Sequence, residues 1–175
     1  NDSGVRILAA PPRLQDAEGV NPNQFMDILR YLQRNYAYVL VDTPSVLNDL
    51  ALAAFDVSDL IVIMATQDIP SVKNVRLFLE LSEALGISRQ RMVMAMNRYD
   101  KRRTITPEKI GENFKQEFAT VIPMDEKMVV PAMDRGVPFI LGNKTHPGGR
   151  SILTLAQKLR EKIANIDEVE AEPAG

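Results

Sequence analysis

Asp42 occupies the position in this sequence where a carboxylate is best placed to do chemistry. It follows four apolar or aromatic residues, from Tyr38 to Val41, that predict a strand buried on both faces of a sheet. Folds built from parallel strands and helices bind ligands at the carboxyl ends of their strands. A carboxylate there can hold Mg²⁺ through its water shell, with Thr43 and Pro44 opening a loop beside a phosphate. A turn or helix-capping aspartate is the alternative, since Thr-Pro commonly follows such a residue.

A second polar group follows the apolar run at residues 91–97. Asn97 has an amide side chain, which offers a hydrogen-bond donor and an acceptor together and so matches the edge of a purine base. Arg98 comes directly after it, and both residues would lie on the same rim of the sheet as Asp42. Because Asn and Asp favour turns at strand ends, a purely structural turn is the competing interpretation.

Pro123, Met124 and Asp125 form a third group, at the end of a strand predicted over residues 119–123. Proline fixes its own backbone angle and removes a donor, so an exposed carbonyl and the neighbouring amides could line a pocket for adenine. The competing interpretation is a strand that stops before a helix, with Asp125 and Glu126 in the acidic first turn of that helix.

The segment from Gly142 to Thr145 imitates a phosphate-binding loop. Such a loop has the pattern G-x-x-x-x-G-K-[ST] and lies between a strand and a helix. Here an asparagine separates Gly142 from Lys144, and the residue five before Gly142 is Val137 rather than glycine. This segment is therefore not a phosphate-binding loop.

Composition excludes several classes of protein. The net charge is −2 and no long basic run is present, which argues against a nucleic-acid partner. The absence of cysteine removes disulfides and thiolate chemistry and fits a reducing compartment. The single histidine, His146, cannot build a histidine-rich metal site. No apolar run is long enough to span a bilayer, so we expect a cytoplasmic protein without direct membrane insertion.

Strands and helices alternate along the chain, which predicts βαβ units and a mostly parallel sheet. Strands are predicted over residues 5–10, 38–41, 59–65, 91–97 and 119–123. Helices are predicted from Asn21-Pro22 onward and over residues 47–55, 71–85, 106–118, 126–135 and 151–163. We therefore expect one α/β domain over residues 1–166, three-layered and doubly wound, followed by a disordered acidic tail over residues 167–175.

Together, the three strand-end groups resemble those of the MinD/ParA family of deviant-Walker ATPases. The run YVLVDTP at 38–44 is similar to the family's Walker B and switch II strand, AMNRYD at 95–100 to its adenine-recognition strand, and IPMD at 122–125 to its second adenine loop. The runs LAAPP at 8–12 and TQDIP at 66–70 most resemble the CpaE/TadZ branch, ATPase-like proteins that localise and assemble type IV (Flp/Tad) pili. The resemblance covers nearly all of residues 5–163.

The resemblance implies an ATP-binding protein with a P-loop NTPase-like fold that dimerises under nucleotide control. ATP or ADP and Mg²⁺ would be its cofactors, with Asp42 as the catalytic residue on the Mg²⁺ side, through water. The nucleotide would contact Thr43, Pro44, Asn97, Arg98, Pro123, Met124 and Asp125. The partners would be a second copy of the chain and pilus-assembly or polar-localisation proteins.

Two departures limit what the resemblance implies. The family's glycine-rich Walker A loop, first crossover helix and switch I aspartate all precede the part that matches Val5, and they are not in this chain. The family usually has a glycine soon after the switch II proline, whereas Ser45, Val46 and Leu47 follow Pro44 here. Phosphate contacts provide most of the nucleotide affinity in such proteins.

We therefore expect no ATP bound tightly to this chain alone, and an ATPase only in a longer chain that carries the Walker A loop. A sheet that lacks its first strand and crossover helix should also expose an apolar face and self-associate.

Two other functions compete with this one. A non-catalytic localisation or interaction module would keep the fold and lose ATP turnover, which the absent glycine after Pro44 favours. A receiver-type (response-regulator) domain is also doubly wound, but it needs an acidic pair after its first strand, where this chain has Pro11 and Pro12. A receiver-like domain fits better as an upstream neighbour, since CpaE-type proteins often carry one.

Overall fold

The chain divides into two compact units, Asn1–Ser58 and Asp59–Gly175. The structure is a computed structural model, and it describes residues 4–11, 13, 19–142 and 145–171. The domain boundaries predicted from the sequence stay a prediction.

The described residues of the first unit contain two helices. These are α1 (Pro22–Asn35) and α2 (Asp49–Val57). Asn21 caps α1 as predicted, since its Oδ1 accepts a hydrogen bond from the N–H of Asn23 at 2.8 Å, and Pro22 brings a backbone angle that suits the first helical turn. Gln33 Nε2 donates to the Val57 carbonyl at 2.7 Å and so joins the last turn of α1 to the end of α2.

Both strands predicted for the first unit are wrong. Residues 5–10 and 38–41 have irregular backbone rather than strand. A strand needs a neighbouring strand to pair its N–H and C=O groups, and the described part of this unit provides helices only. Side chains predicted to be buried are accordingly open to solvent, with Ile7 82% and Leu40 89% exposed.

The second unit contains a three-stranded parallel sheet in the order β1-β2-β3. Its strands are β1 (Ile61–Ala65), β2 (Met92–Tyr99) and β3 (Phe118–Pro123). Ala65 pairs with Met96, and Tyr99 pairs with Pro123, so all three strands end at one edge of the sheet. The α/β class and the parallel sheet are confirmed, as are the three strands predicted in this part of the chain, with small shifts at their ends.

The described part of the second unit contains five helices, and the first two of them connect the strands, because parallel neighbours need a crossover between them. The helices are α3 (Ile69–Ala84), α4 (Pro107–Phe114), α5 (Glu126–Asp134), α6 (Phe139–Gly142) and α7 (Pro147–Ala171), with a 3₁₀ turn at Arg89–Arg91. Two hydrogen bonds fasten α7 to β3. Ser151 Oγ donates to the Val121 carbonyl at 2.9 Å, and Thr120 Oγ1 donates to the Ser151 carbonyl at 3.0 Å.

Two helices differ from their predicted lengths. The helix predicted over residues 106–118 ends at Phe114, because Lys115 adopts left-handed backbone with φ 52° and the chain turns towards β3. The last helix is longer than predicted and begins at Pro147, since proline is favourable at a first helical position. This helix extends to Ala171, so residues 167–171, which were predicted to belong to a disordered tail, are helical. Residues 172–175 lie outside the described residues.

The core of the second unit lies around β2. Met92, Met94 and Met96 are buried to 1% exposure or less, as expected for a central strand of a parallel sheet. Strand β1 is an edge strand whose side chains alternate between buried and exposed, and Val62 and Met64 are 38% and 47% exposed. Among the helices that the structure describes, none is long and apolar enough to cross a membrane.

Candidate functional site

Polar residues follow each strand at the carboxyl edge of the second unit's sheet. They are Thr66, Gln67 and Asp68 after β1, Asn97, Arg98 and Asp100 at and after the end of β2, and Asp125 after β3. Because ligands of α/β folds bind at this edge, we describe the three strand ends in turn.

After β1, Asp68 caps helix α3. Its Oδ1 accepts a hydrogen bond from the Ser71 N–H at 2.8 Å, and its Oδ2 accepts one from the Thr66 hydroxyl. The Thr66 hydrogen bond and then the Ser71 N–H hold the pKa of the Asp68 carboxyl below its usual value. The turn after β1 is thus fixed by an ionised carboxylate at neutral pH.

Gln67 fastens the end of β1 to the loop after β2. Its side chain is 3% exposed. Gln67 Nε2 donates to the Ile105 carbonyl at 2.6 Å, and its Oε1 accepts from the Asp100 N–H at 2.6 Å. Arg103 also donates to the Gln67 carbonyl, at 3.1 Å. One buried amide therefore satisfies both ends of the segment from Asp100 to Ile105.

The residues predicted to contact a base at the end of β2 lie where the strand register is irregular. Asn97 Oδ1 accepts a hydrogen bond from the Arg98 N–H at 2.8 Å, and Arg98 has left-handed backbone with φ 54°. Both residues lie within β2, where its pairing with β3 is irregular between Met96 and Tyr99, and the hydrogen bond engages the Asn97 side-chain oxygen. A role in binding a base would therefore rest on the Asn97 amide group.

Beyond the end of β2, Asp100 forms an ion pair with the guanidinium group of Arg102. Arg102 Nη2 lies 2.6 Å from Asp100 Oδ2, and hydrogen bonds from the Arg102 side chain and backbone hold the pKa of the Asp100 carboxyl well below its usual range. The Arg98 guanidinium lies 3.8 Å from the Glu126 carboxylate, and both side chains are about two-thirds exposed (65% and 66%), so this ion pair is weak.

The end of β3 lies directly beside that of β2. The Met124 N–H donates to the Tyr99 carbonyl at 2.9 Å, which continues the pairing of Tyr99 with Pro123. Asp125 Oδ1 then accepts from the Met128 N–H at 3.0 Å and caps α5, as the structural interpretation of Asp125 predicts. The structure thus brings two of the three predicted groups together, and their contact with a nucleotide stays a prediction.

The third predicted group, around Asp42, lies in the first unit. Asp42 and Pro44 are exposed and Thr43 is half-buried, in the irregular segment that leads to α2. Since residues 38–41 are not a strand, Asp42 does not stand at a strand end in this unit, and its predicted place on the rim with Asn97 stays a prediction. Within the described residues, no group of three or more His, Asp or Glu side chains is placed to hold a metal ion.

A shallow groove of about 470 Å³ lies beside the Gln67 contact, between the first turns of α3 and α4. Its lining is aliphatic with a cationic rim and consists of Ile69, Val72, Lys73, Arg76, Thr104, Ile105, Lys109, Ile110 and Asn113. None of the predicted nucleotide-contacting residues is among these, so the groove is separate from the predicted base contacts.

Two residues at the strand ends were not found by sequence reasoning. Gln67 stands in the run TQDIP, which carries no local signal for a contact at residues 100–105. His146 was considered only as a metal ligand, whereas its Nε2 lies 2.9 Å from Asp125 Oδ2. Both contacts join residues that are far apart in sequence, so no local sequence pattern predicts them.

Comparison with known proteins finds several whose sequences are similar to that of this chain. No protein-family model matches the sequence. The septum site-determining protein MinD of Thermotoga maritima is 22% identical over 158 residues, which cover 87% of this chain and 58% of that protein. A second MinD-type protein, from Emiliania huxleyi, is 23% identical over 158 residues, covering 85% of this chain and 56% of the relative. The chain thus spans less than two thirds of the length of these relatives.

Solved structures show the same fold. A ParA-family ATPase from Chlorobium tepidum superposes with a TM-score of 0.77 at 18% identity, over 85% of this chain and 61% of the other. The MinD protein of Pyrococcus horikoshii, solved in complex with Mg-ADP, superposes with a TM-score of 0.71 at 20% identity, over 88% of this chain and 62% of the other. Sequence and fold therefore relate the chain to MinD and to ParA-family ATPases, with a P-loop NTPase-like fold.

Proposed function

We propose that this chain, a relative of MinD and ParA-family ATPases, is part of an ATP-binding protein whose adenine site lies at the ends of β2 and β3. The observation that carries the proposal is the hydrogen bond of 2.9 Å from the Met124 N–H to the Tyr99 carbonyl, which places the two predicted base-contacting segments side by side. The fold shared with a MinD structure that holds Mg-ADP supports it.

The residues at this edge fit a purine base. Asn97 supplies an amide group for the hydrogen-bonding edge of the base, and the side chain of Met124, 38% exposed, supplies an apolar surface for its face. The carbonyl of Pro123 and the backbone at Arg98 lie in the same two segments and complete the predicted contacts. Asp125 shapes the loop through its cap of α5.

Asp42 would hold the Mg²⁺ side of the nucleotide, with Thr43 and Pro44 beside the terminal phosphate. Mg²⁺ is usually bound by one or two carboxylates together with substrate phosphates and water, so one exposed carboxylate is a sufficient protein contribution. When bound, Mg-ATP supplies the phosphoryl group. The residues of this chain position the base and orient water around the metal.

The whole protein would act by nucleotide-controlled dimerisation in polar localisation or in pilus assembly of the CpaE/TadZ type. The runs at residues 8–12 and 66–70 carry this part of the proposal. The MinD protein of Aquifex aeolicus, which has a similar fold, was solved in a complex with MinC, and this supports a role in which the protein binds partners. We infer a cytoplasmic protein with a second copy of itself and pilus or polar proteins as partners.

Calorimetric titration with Mg-ATP tests the proposal on two lengths of protein. The 175-residue chain should show no binding in the low-micromolar range, because it lacks the phosphate contacts of a Walker A loop. A longer protein carrying an upstream loop of the form K-G-G-x-G-[KR]-[ST] should bind Mg-ATP at least about tenfold more tightly. Tight binding by the 175-residue chain, or an upstream sequence without that loop, would count against the proposal.

A non-catalytic localisation module is the second candidate, and the serine that follows Pro44 favours it. Such a protein would bind its partners without turning over ATP. Asp42→Ala in the longer protein separates the two candidates. ATP hydrolysis that is lost in this variant rejects the non-catalytic module, whereas partner binding without any hydrolysis in the unmodified protein rejects the ATPase.

A further inference from the structure

Two helix caps in the second unit are bonded to each other. Asp125 precedes α5 and His146 precedes α7, and the two side chains meet at 2.9 Å between Asp125 Oδ2 and His146 Nε2. They lie 21 positions apart in the chain (146 − 125). Both side chains are partly shielded from water, with His146 19% and Asp125 30% exposed.

Each member of this pair also holds the start of its own helix. Asp125 Oδ1 accepts from the Met128 N–H at 3.0 Å, at the third position of α5. His146 Nδ1 accepts from the Gly148 N–H at 3.3 Å, and its carbonyl accepts the first helical hydrogen bond of α7, from Arg150 at 2.9 Å. Because Nδ1 accepts, the ring proton belongs on Nε2, which can then donate to Asp125.

Helix α7 is the fixed partner in this arrangement. Two hydrogen bonds join α7 to β3 within two turns of His146: Ser151 Oγ donates to the Val121 carbonyl at 2.9 Å, and Thr120 Oγ1 donates to the Ser151 carbonyl at 3.0 Å. The imidazole is therefore held relative to the sheet, and through it the Asp125 side chain is held as well. On the other side of Asp125, the Met124 N–H is bonded to Tyr99.

We infer that His146 is a positioning residue for the loop from Pro123 to Asp125, setting the position of this loop against the end of β2. This inference rests on the proposed function, because that loop is the predicted contact with adenine. His146 itself does not touch the base; it acts through Asp125 and the start of α5. Its loss should loosen the loop and weaken the binding of the base.

Substitutions can separate the two hydrogen bonds of His146. Asn is a good helix cap, so His146→Asn keeps an acceptor for the start of α7 but is too short to reach Asp125. His146→Ala loses both contacts. If the role is positioning, the two variants should have the same effect on the loop, and only His146→Ala should also loosen the start of α7.

The test uses the 175-residue chain labelled with ¹⁵N and with ¹³C in its methionine methyl groups. Because His146 is the sole histidine, its ring nitrogens give one set of signals, which should report a proton on Nε2. Amide hydrogen exchange at Met128 should be about fivefold faster in both variants, as expected for the loss of one hydrogen bond. Exchange at Gly148 should rise in His146→Ala alone.

Adenosine is the probe for the base, followed by the Met124 methyl signal. Without phosphate contacts its dissociation constant should be on the order of 1 mM, and about fivefold weaker in His146→Asn. Faster Met128 exchange with unchanged adenosine affinity would overturn the positioning role. Unchanged exchange would overturn the link itself. No adenosine response in the unmodified chain would overturn the proposed base site, and with it this role, while the exchange data would still report on the link.

Discussion

Residues 38–41 and strand β1 have similar sequences and different structures. Both are runs of apolar residues with β-branched members, YVLV and IVIMA. Strand β1 is paired with β2 along its whole length, and Ile63 is 8% exposed. Residues 38–41 form no strand, and Leu40 is 89% exposed.

The difference shows that strand propensity is expressed only where a partner strand is available. β-propensity measures how well a side chain fits a paired, half-buried surface more than a preference of the backbone itself. The second unit provides that surface through β2, whose five residues from Met92 to Met96 are all buried. The first unit, in its described residues, consists of two helices joined by contacts such as that of Gln33 with Val57.

The largest effect on stability is expected when one apolar side chain is removed from each of the two regions. Met94 is fully buried, so Met94→Ala should lower the free energy of unfolding by about 2–5 kcal/mol through lost burial and a cavity. Leu40→Ala should change it by less than about 0.5 kcal/mol, because Leu40 is already exposed. Urea unfolding followed by circular dichroism measures both. Equal losses would show that residues 38–41 are packed in solution.

Local signals in the sequence predicted much of the helical structure. Asn21 and Thr106, each before a proline, were recognised as helix starts, and both cap their helices. The helix predicted over residues 71–85 ends at Ala84, and Gly86 follows it with φ 73°. These features depend on neighbours within a few residues, so the sequence carries them. The strands at 5–10 and 38–41 depend on partners elsewhere, and a run of apolar residues does not say whether a partner is present.

In the candidate site, too, some features were predicted from the sequence and others were not. Parallel topology brings consecutive strand ends together, and the ends of β2 and β3 do lie side by side, with Tyr99 opposite Pro123. The contacts of Gln67 with Ile105 and of His146 with Asp125 were not predicted, since each spans 21 or more positions in the chain. Which side chains meet across such a distance is decided by packing, not by local pattern.

Gln67 and Gln33 offer the next test, because in each unit the side chain of one of these glutamines donates a hydrogen bond to a distant carbonyl. Gln67 is buried and its bond to Ile105 is 2.6 Å, whereas Gln33 is exposed and its bond to Val57 is 2.7 Å. Gln67→Ala should cost about 1–3 kcal/mol, because it leaves the Ile105 carbonyl and the Asp100 N–H without a partner. Gln33→Ala should cost less than about 0.5 kcal/mol, since water replaces the bond. Chemical denaturation decides between them, and equal costs would remove the distinction between the two units.

A measurement of self-association compares the exposed apolar residues of strand β1 with those of residues 38–41. Val62 and Met64 lie on the edge strand β1 and are 38% and 47% exposed. A paired edge strand offers an apolar surface and free backbone groups together. Replacing both residues with threonine should therefore weaken self-association about tenfold in light scattering. Leu40→Ser is the control, and a larger effect from this variant would place the associating surface in the first unit. If the unmodified chain is monomeric at every concentration, an associating surface is rejected for both strand β1 and the first unit.

The smallest expected effect concerns two helix caps that differ in charge. Asn48 caps α2 in the first unit through a hydrogen bond of 2.9 Å from Ala51, and Asp68 caps α3 in the second through one of 2.8 Å from Ser71. The pKa of the Asp68 carboxyl lies below its usual value, chiefly because of the Thr66 hydroxyl and then the Ser71 N–H. Its stabilisation is therefore complete above pH 3.8 and is lost as the pH falls through the lower, folded-state pKa.

The neutral amide of Asn48 has no such dependence, so the cap of α2 should hold across this range while that of α3 weakens. Asp68→Asn keeps a good cap and should cost less than about 1 kcal/mol at pH 7, yet it should flatten the fall in urea midpoint as the pH drops below 3.8. Asn48→Asp is the converse variant and should introduce an acid-sensitive cap into the first unit. If Asp68→Asn leaves the acid dependence unchanged, then other carboxylates govern it, and the charge of the cap does not distinguish the two units.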